Sequence, residues 1–525
     1  MEELTPVTIS PNSIINTNKL IDGDIVDDNN SILTGSIWRE KSVAGVLIMD
    51  KMYGKEKKKW LYKCIPYNKC LPVFLVPYEE KNNFSKTRKN KYVLIKFKHW
   101  NNKHPLGELV QTFGNVDMLS CLYDYLLFAL DIHTSNQRFT KQFMHCLKEQ
   151  TKETIIDSIK NRYNVEDRTN YEIYTIDGET TRDFDDAIGL VQDSDKSILS
   201  IYISNPVLWM DYLQLWNYYG DRTSSIYLPD RVINMLPNKM SNQTVGLIKG
   251  ETSIAFVMDI TICASKIQGI QYKNALVKIR KNFIYEEPEL LSNPMYNGIV
   301  SILNNLNMNV TNSHKCIEKL MIYFNSRIGD TLSKYGKGIY RYCRVTNSTT
   351  TSIPVALNDF VKWADTQSAY ALFNKDLYHE LLDVQYYTQM SSPIRRVVDI
   401  INMIEIHENE SLCKLHNDTI QYKNNWIKKI DTINDKRRAI KRLESETKLL
   451  NYYLTEEDIS SRVYDGYIVT ILDEHKYIVF IPELQCSAIL KVIKNIALYT
   501  KIQCSLCLLH DEINIIQKIR VSLIA

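Results

Sequence analysis

Four aspartates lie within ten residues in the stretch YTIDGETTRDFDDAIGL, residues 174–190: Asp177, Asp183, Asp185 and Asp186. Like charges this close together destabilise a fold unless something offsets them. An apolar run precedes the four carboxylates and another follows them. The pattern D-x5-D-x-D-D therefore predicts a strand that ends at Asp177, a loop that carries the other aspartates, and a source of positive charge nearby.

Hard divalent cations such as Mg²⁺ prefer oxygen ligands, usually a few carboxylates together with water and substrate phosphate. Two such ions about 3.5–4 Å apart can bind both the attacking and the leaving oxygen of a phosphoryl displacement. In a regular strand Asp183 and Asp185 would share one face and Asp186 the other, so convergence requires an irregular loop. A solvated acidic turn and a structural calcium loop are the alternatives, although the Gly and Glu of an EF-hand are missing. Spacing alone leaves the metal site and the acidic turn equally open.

The chain of 525 residues is too long for one core and predicts about three or four domains. Its 44% hydrophobic and 24% charged residues are typical of a globular protein. No apolar run reaches the ~18 residues of a membrane span, so we expect a soluble cytoplasmic protein without membrane association, with a nuclear location left open. The 11 cysteines show no framework spacing and are expected to be reduced. We interpret the lone pair Cys504 and Cys507 as packing residues.

Residues 51–104 contain 15 Lys or Arg against three Glu, a surplus of 12 positive charges in a chain whose net charge is only +3. Aromatic residues are interleaved with them, among them Trp60, Tyr62, Tyr67, Phe74, Tyr78, Tyr92, Phe97 and Trp100. Cations for phosphate and rings for base stacking suit single-stranded nucleic acid. A solvated basic rim on a β-domain whose rings form the core explains the same pattern equally well.

Short strands with turn residues between them predict small barrels in the first 150 residues and again after residue 456. Helical periodicity predicts helices at 139–164, 315–335, 361–373, 394–407 and 432–453. His314 is interpreted as an ordinary residue at a helix entry, because no partner for it is evident in the sequence.

Several motifs occur in the same order as in a known family. "TID" with "RDFDDAI" resembles the signature of the ribonuclease II/R (RNB) family, which includes the catalytic subunit of the exosome. The resemblance continues in "RTSSIYLPDRVINMLPNKMSN" (222–242), "FIYEEPE" (283–289), "IEKLMIYFN" (317–325) and "SSPIRRVVD" (391–399). It covers nearly the whole chain, and the leading segments look more like the eukaryotic exosome type than the bacterial type.

The resemblance implies an α+β fold with a central mixed α/β catalytic (RNB) domain flanked by OB-type β-barrels. The expected domains are two OB or cold-shock-like barrels at 1–75 and 76–150, the RNB domain at 165–455, and an OB-type RNA-binding barrel at 456–525. Because the first barrel starts almost at Met1, we expect no additional N-terminal nuclease domain.

Roles are carried over from the family residue by residue. Asp177, Asp183, Asp185 and Asp186 match its metal-binding carboxylates and imply Mg²⁺, expected as two ions with Mn²⁺ as a substitute. Asp185 and Arg395 match catalytic residues, and Arg395 would reach the phosphate. Tyr227 is expected to stack on a terminal base, with strand packing as its alternative. Arg396 is a further RNA-binding candidate, although a solvent-facing role fits it as well. Ser392 and Pro393 would form the helix entry, with Ser392 as N-cap.

The sequence departs from the family pattern at four places. Gly178 replaces the usual Pro, Asn205 replaces an Asp, Thr223 replaces a Gly, and Met403–Ile404 replaces a His-Arg pair. These changes put the rate, the affinity for substrate and the processivity in doubt, but they remove none of the four aspartates.

The expected function is metal-dependent 3′→5′ hydrolysis of single-stranded RNA to nucleoside 5′-monophosphates. The main alternative is an inactive relative that binds RNA or acts as a scaffold. A metal phosphatase acting on small molecules would leave the barrels and the basic aromatic region unexplained. We expect a monomer, and membership of an RNA-decay complex stays open.

Overall fold

Two closed five-stranded barrels precede and follow, in the chain, a domain built on a seven-stranded sheet. The computed structural model describes residues 7–8, 19–27, 31–79, 88–193, 196–345, 357, 366–459, 461–511 and 516–524. This arrangement confirms the predicted fold class. None of the helices in these ranges is both long and apolar enough to cross a membrane.

The first barrel follows a short antiparallel pair, β1 (Ile25–Val26) and β2 (Ile32–Thr34). Its strands are β3 (Ser42–Glu56), β4 (Lys59–Pro66), β5 (Phe74–Tyr78), β6 (Lys91–His99) and β7 (Leu106–Asn115), in the order β3-β4-β5-β7-β6. Val43 and Leu47 of β3 point into the barrel core, whereas Ala44 and Val46 pack on its outside. Since side chains alternate along a strand, burial of both sets means that β3 is covered on both faces.

The boundary predicted between residues 75 and 76 falls inside β5. Among the described residues a single barrel occupies 42–115, so the interpretation of two successive barrels is wrong there. Three helices complete the first 165 residues: α1 (Leu119–Ala129), α2 (Gln137–Glu149) and α3 (Lys152–Arg162). The helix predicted at 139–164 is thus two helices, because Gln150 is extended and the Thr151 side chain caps α3 by accepting from the backbone N–H of Thr154.

The aromatic rings of the basic region divide between core and surface. Tyr62, Phe74 and Tyr92 are buried, each at most 2% exposed. Trp60 is 41% exposed, and Nζ of Lys55 lies 4.0 Å from the centroid of its ring. Some of these rings therefore form the core, as the rim interpretation expects, whereas others remain accessible beside lysines, and nucleic-acid binding by this region stays a prediction.

The central sheet is mixed, with strand order β16-β9-β10-β11-β14-β15-β8. Its strands are β8 (Glu166–Arg168), β9 (Ile173–Asp177), β10 (Asp186–Asp193), β11 (Lys196–Ser204), β14 (Thr252–Cys263), β15 (Lys266–Lys278) and β16 (Lys281–Ile284). Between β11 and β14 lie α4 (Pro206–Tyr212), the pair β12 (Ile226–Tyr227) and β13 (Val232–Ile233), and α5 (Asn238–Met240). Phe256 and Met258 of β14 join the large helix-covered core, and Ala255 and Val257 face a smaller one. The sheet is therefore buried on both faces.

The second half of this domain is mainly helical: α6 (Pro288–Leu291), α7 (Pro294–Asn305), α8 (Ser313–Lys334), α9 (Val397–Asn409), α10 (Asn417–Ile427) and α11 (Ile430–Thr455). Two strands, β17 (Ile339–Val345) and β18 (Thr366–Leu372), pair antiparallel between α8 and α9. The helix predicted at 361–373 is wrong for its described residues 366–373, because β18 pairs with β17 there. Residues 361–365 lie outside the described residues.

The last barrel contains β19 (Tyr464–Asp473), β20 (Lys476–Ile481), β21 (Cys486–Lys491), β22 (Lys501–Asp511) and β23 (Ile516–Leu523), in the order β19-β20-β21-β23-β22. One hydrophobic cluster joins this barrel to α11, to α1 and to the outside of the first barrel. Helix α11 therefore connects both barrels to the central domain. Cys504 is fully buried in this cluster, as expected of a packing residue.

Candidate active site

The acidic segment forms the turn between two neighbouring strands of the central sheet. Asp177 is the last residue of β9 and Asp186 is the first residue of β10, while Asp183 and Asp185 lie in the loop between them. Pairing of β9 with β10 brings the two ends of this loop together. The expected strand ends at Asp177, and Asp183 and Asp185 lie in the irregular loop that follows, whereas Asp186, expected in that loop, begins β10.

Asp185 links this loop to the segment before α9. Its side chain is 3% exposed, and its two oxygens accept hydrogen bonds from different donors. Oδ1 accepts from the backbone N–H of Ile394 at 2.9 Å, and Oδ2 accepts from Nε of Arg395 at 3.2 Å. The structure therefore brings together two of the predicted site residues that the sequence separates by 210 positions.

Two carboxylate oxygens of the loop are buried without any hydrogen-bond partner in the described residues. They are Oδ2 of Asp177 and Oδ1 of Asp183. Buried polar atoms are normally paired, since leaving one unpaired costs about 1–3 kcal/mol, and more if it carries charge. These two oxygens are thus available to a cation or to a hydrogen-bond donor that is not part of the chain.

Burial also shifts the acidity of the four carboxyl groups. It raises the pKa of Asp185 to about 7, and the guanidinium of Arg395 opposes this shift. Burial likewise raises the pKa values of Asp177, Asp183 and Asp186. The charge of Asp185 raises the pKa of Asp177 further, and the charge of Asp177 raises that of Asp186. One arginine does not offset four carboxylates, so further positive charge would stabilise their ionised forms.

Carboxylate oxygens are the ligands that Mg²⁺ prefers, and the unpartnered atoms of Asp177 and Asp183 fit such an ion chemically. In the described part of the chain, however, no group of three or more His, Cys, Asp or Glu side chains has the spacing of a metal site. The binding of two Mg²⁺ ions by the four aspartates therefore remains a prediction.

Arg395 is placed so that it can reach an external anion. Its side chain is 44% exposed, and besides the bond to Asp185 its Nη2 donates to Oγ of Ser392 at 2.9 Å. Its backbone is also held, because its carbonyl accepts from the N–H of Ser225 at 3.0 Å and the N–H of Val397 bonds to the carbonyl of Thr223. The segment in which Thr223 departs from the family thus positions the backbone around Arg395.

Arg396 points differently from its neighbour. Its Nη2 donates to Oδ1 of Asp399 at 2.8 Å, and the Asp399 side chain is completely buried. With its amide oxygen oriented toward them, Gln389 also accepts from Arg396 and from Arg341. The Arg396 side chain is 24% exposed and ion-paired, so the solvent-facing interpretation is wrong.

The helix entry differs from the prediction as well. Helix α9 begins at Val397, three residues after the predicted start at Ile394. Ser392 is not its N-cap, since residues 393–395 form a turn and the N–H of Ser392 donates to Oδ1 of Asp399 at 2.7 Å. This turn allows the N–H of Ile394 to reach Asp185.

Tyr227 ends the short strand β12 and is 44% exposed, so it is not a core residue. Burial raises its pKa, the charge of Arg395 lowers it, and the charges of Asp183 and Asp185 raise it further. The ring is therefore accessible and close to the carboxylate loop. Packing within a strand, the alternative raised from the sequence, does not describe this position.

Two residues near the site were not singled out from the sequence. Oε1 of Glu444, on α11, accepts from the backbone N–H of Tyr227 at 2.8 Å. Tyr285, in the FIYEEPE motif, donates its N–H to the carbonyl of Asp177 at 3.0 Å and stacks on His314 with 3.7 Å between ring centroids. No sequence pattern identifies Glu444 as a residue near the site. Tyr285 could have been identified, because it belongs to the FIYEEPE motif. His314 lies in the first turn of α8, as expected.

The other departures from the family pattern have structural roles. Asn205 is fully buried at the N-terminus of α4, where its Oδ1 accepts from the N–H of Leu208 at 3.3 Å and its Nδ2 donates to Asn274 at 2.9 Å. Met403 and Ile404 are buried in the main core.

Comparison with known proteins identifies the central domain. Residues 165–294 match the RNB domain family. Ribonuclease R of Mycoplasmopsis pulmonis is 33% identical over 148 residues, which are 28% of this chain and 20% of that protein. A probable exosome complex exonuclease RRP44 of Caenorhabditis elegans is 23% identical over 274 residues, 50% of this chain and 27% of that protein. Ribonuclease R of Chlamydia pneumoniae is 22% identical over 382 residues, 57% of this chain and 54% of that protein. The chain thus spans between a fifth and about half of the length of these relatives.

Solved structures share the fold over nearly the whole chain. The apo form of Mycoplasma genitalium RNase R has a TM-score of 0.72 at 17% identity and covers 99% of this chain and 100% of that one. The same enzyme in complex with ribose-methylated single-stranded RNA has a TM-score of 0.70, also at 17% identity, covering 97% of this chain and 95% of that one. Yeast Ssd1, described as a pseudonuclease, has a TM-score of 0.59 at 14% identity and covers 90% of this chain and 68% of that one. The resemblance to the ribonuclease II/R family is confirmed.

Proposed function

Because residues 165–294 form an RNB domain of the ribonuclease II/R family, we propose that this protein is a metal-dependent 3′→5′ exoribonuclease. Its substrate would be single-stranded RNA and its products nucleoside 5′-monophosphates. The observation that carries the proposal is the buried carboxylate loop, in which Asp177 and Asp183 have unpartnered oxygens beside the exposed Arg395.

The carboxylates of Asp177, Asp183, Asp185 and Asp186 would hold Mg²⁺, expected as two ions, with Mn²⁺ as a substitute. When bound, the ions supply a water of lowered pKa and neutralise charge on the phosphate under attack. Asp185 would have a second task, because its bond to Nε orients the Arg395 guanidinium. The remaining donors of that planar group would then stabilise the phosphate oxygens.

Tyr227 would hold the terminal nucleotide by stacking on its base, since its ring is accessible and near the carboxylates. The polarity of digestion and the products follow from the family resemblance. RNA as the ligand class is supported by RNase R of Mycoplasma genitalium, which was solved with single-stranded RNA. A monomer that can join an RNA-decay complex is the proposed state.

An inactive RNA-binding protein is the second candidate, and two observations favour it. One structural neighbour is described as a pseudonuclease, and the described residues contain no three-ligand metal geometry. Against it stands the energetic cost of the loop, because burying four mutually repelling carboxylates without a function that needs them destabilises the fold.

The deciding experiment uses single-stranded RNA labelled at its 5′ end, incubated with the full chain with and without Mg²⁺. A ladder of shortening products only in the presence of the metal supports the proposal. RNA binding without any ladder, with Mg²⁺ and with Mn²⁺, would identify the inactive candidate instead. Release of labelled mononucleotide from the 5′ end would contradict the proposed polarity.

A further inference from the structure

Four cationic side chains from three parts of the chain come together beside the candidate active site. We call them the Arg–Lys cluster: Arg341 on β17, Arg396 before α9, and Arg437 and Lys441 on α11. The amide oxygen of Gln389 accepts from Nη1 of Arg396 at 3.0 Å and from Nη1 of Arg341 at 3.1 Å. Arg437 and Lys441 are four residues apart on one helix and therefore neighbours on its surface, where like charges repel.

Few negative groups offset this charge. Asp399 pairs with Arg396, whereas Arg341, Arg437 and Lys441 make no ion pair within the described residues. Arg437 donates instead to the carbonyl and the hydroxyl of Ser368, at 3.1 and 3.3 Å. The Nε atoms of Arg341 and Arg396 are buried without a hydrogen-bond partner.

The pKa values of the two cluster residues on α11 reflect how unfavourable this arrangement of positive charges is. Partial desolvation lowers the pKa of Arg437 and also that of Lys441, although Lys441 as a whole residue is exposed, and repulsion from Arg341 lowers both further. Removing a cation from water without a counter-ion is unfavourable, and a bound anion reverses the penalty. Within the part of the chain that the structure describes, the Arg–Lys cluster therefore carries more positive charge than its neighbours neutralise.

The Arg–Lys cluster lies next to the carboxylate loop, but its side chains have different partners. Arg396 follows Arg395, which bonds to Asp185, but its own partner is Asp399. Lys441 lies one helical turn before Glu444, whose Oε1 accepts from the N–H of Tyr227. Helix α11 therefore extends from the Arg–Lys cluster to the residue proposed to hold the terminal base.

We propose that the Arg–Lys cluster is a second phosphate-binding site, which holds a phosphate group other than the one attacked at the carboxylate loop. Guanidinium and ammonium donors are well suited to phosphate oxygens. The phosphate comes either from the RNA backbone or from the released nucleoside monophosphate. The identification of the ligand as RNA or its product rests on the proposed function, whereas the anion site itself rests on the unpaired cations.

The test measures binding to the metal-free full chain, so that no cleavage occurs. The variants are Lys441→Gln, at an exposed position, and Arg341→Gln. The matched control is Arg438→Gln, which removes one charge from the same helix at a side chain that is 67% exposed and paired with Asp435. The probes, followed by calorimetry in EDTA, are 5′-AMP and a short RNA without terminal phosphates.

We expect each cluster variant to lower the binding affinity for one of the two probes about tenfold, which is the effect of losing one charged hydrogen bond. The control variant should leave the affinity for both probes unchanged. Weaker RNA binding with a salt slope reduced by about 0.7 per lost contact assigns the site to the backbone. Weaker AMP binding with unchanged RNA binding assigns it to the product. If Arg341→Gln does not fold, the affinities of Lys441→Gln for the two probes test the proposal.

Wild-type affinity of both probes for Lys441→Gln and for every folded form of Arg341→Gln overturns the proposal. This failure is distinct from failure of the proposed function. The wild-type chain could fail to cleave RNA and still bind anions in a manner that depends on Lys441. That result would support the phosphate site and contradict the proposed nuclease activity.

Discussion

Nε of Arg395 lies 3.2 Å from Oδ2 of Asp185, and the other oxygen of the same carboxylate accepts the N–H of Ile394. One aspartate thus joins the loop that would hold the metal to the arginine that would contact the phosphate. Substitutions at Asp185 should therefore affect the chemical step more than the binding of RNA.

Asp185→Asn should abolish hydrolysis while leaving RNA affinity nearly unchanged. The amide keeps the shape of the side chain but lacks the charge needed to hold a divalent cation. Cleavage and binding of the same labelled RNA should be measured over a range of Mg²⁺ concentrations, with the exposed Asp157→Asn as control. Turnover at the wild-type rate would remove the metal assignment.

The metal-free protein should lose stability as the pH rises from about 4 to about 7. Burial raises the pKa of Asp185 to about 7, so in this range the folded state retains a proton that the unfolded chain has already released. The contribution of this group is present at the acidic end and is lost as the pH passes about 7. Melting temperatures in EDTA should fall along this series, and Mg²⁺ should raise them most at the alkaline end.

Asp185→Asn is the control for this pH dependence, because its side chain cannot titrate. Its melting temperature should change less with pH and respond less to Mg²⁺ than that of the wild type. Equal pH dependence in the two proteins would mean that other groups dominate the effect.

Tyr227→Ala should lose roughly 1–3 kcal/mol of affinity for a short RNA, as loss of a base-stacking ring does. Tyr227→Phe should bind like the wild type, because stacking does not need the hydroxyl. Melting of both variants should be unchanged, since the side chain is 44% exposed. Lowered melting with undiminished affinity of the folded protein would instead mark a packing residue.

Trp60→Ala and Lys55→Gln should weaken binding of long RNA without affecting melting. The exposed ring of Trp60 and the lysine 4.0 Å from its centroid offer stacking and charge together. Tyr62→Ala is the contrasting variant, since a ring that is 2% exposed should lower the melting temperature. Unchanged affinity and salt slope in the first two variants would identify a solvated rim. These substitutions are preferable to deletion of residues 1–150, which would also remove the buried Phe139 and Phe143 from the main core.

Arg396→Gln should destabilise the fold by about 3–5 kcal/mol, because it leaves the completely buried carboxylate of Asp399 without its cationic partner, with only the N–H of Ser392 still donating to it. The free energy of unfolding by urea measures this. Asp399→Asn together with Arg396→Gln should recover part of the loss. Wild-type stability of the Arg396→Gln variant would show that this ion pair does not stabilise the fold.

Local patterns in the sequence were sufficient for much of the fold. The long apolar periodicity of 432–453 predicted α11, and the aspartate spacing predicted a strand followed by an irregular loop, because both depend on neighbours within a few residues. The same kind of pattern failed at 366–373, where pairing with β17 overrides helical periodicity, and at residue 75, where the predicted domain boundary falls within a strand of one barrel.

The sequence by itself determined which residue types the chain offers for binding a metal and a phosphate, since carboxylate and guanidinium chemistry is readable from composition and spacing. Only the tertiary structure decided how they are used. Arg395 and Arg396 are adjacent in sequence, yet one faces Asp185 and remains 44% exposed while the other is paired with buried Asp399. The repulsion of Lys441 by Arg341 and the hydrogen bond between Glu444 and the N–H of Tyr227 relate elements far apart in the chain. Burial and charge between distant segments arise from packing, and no local pattern encodes them.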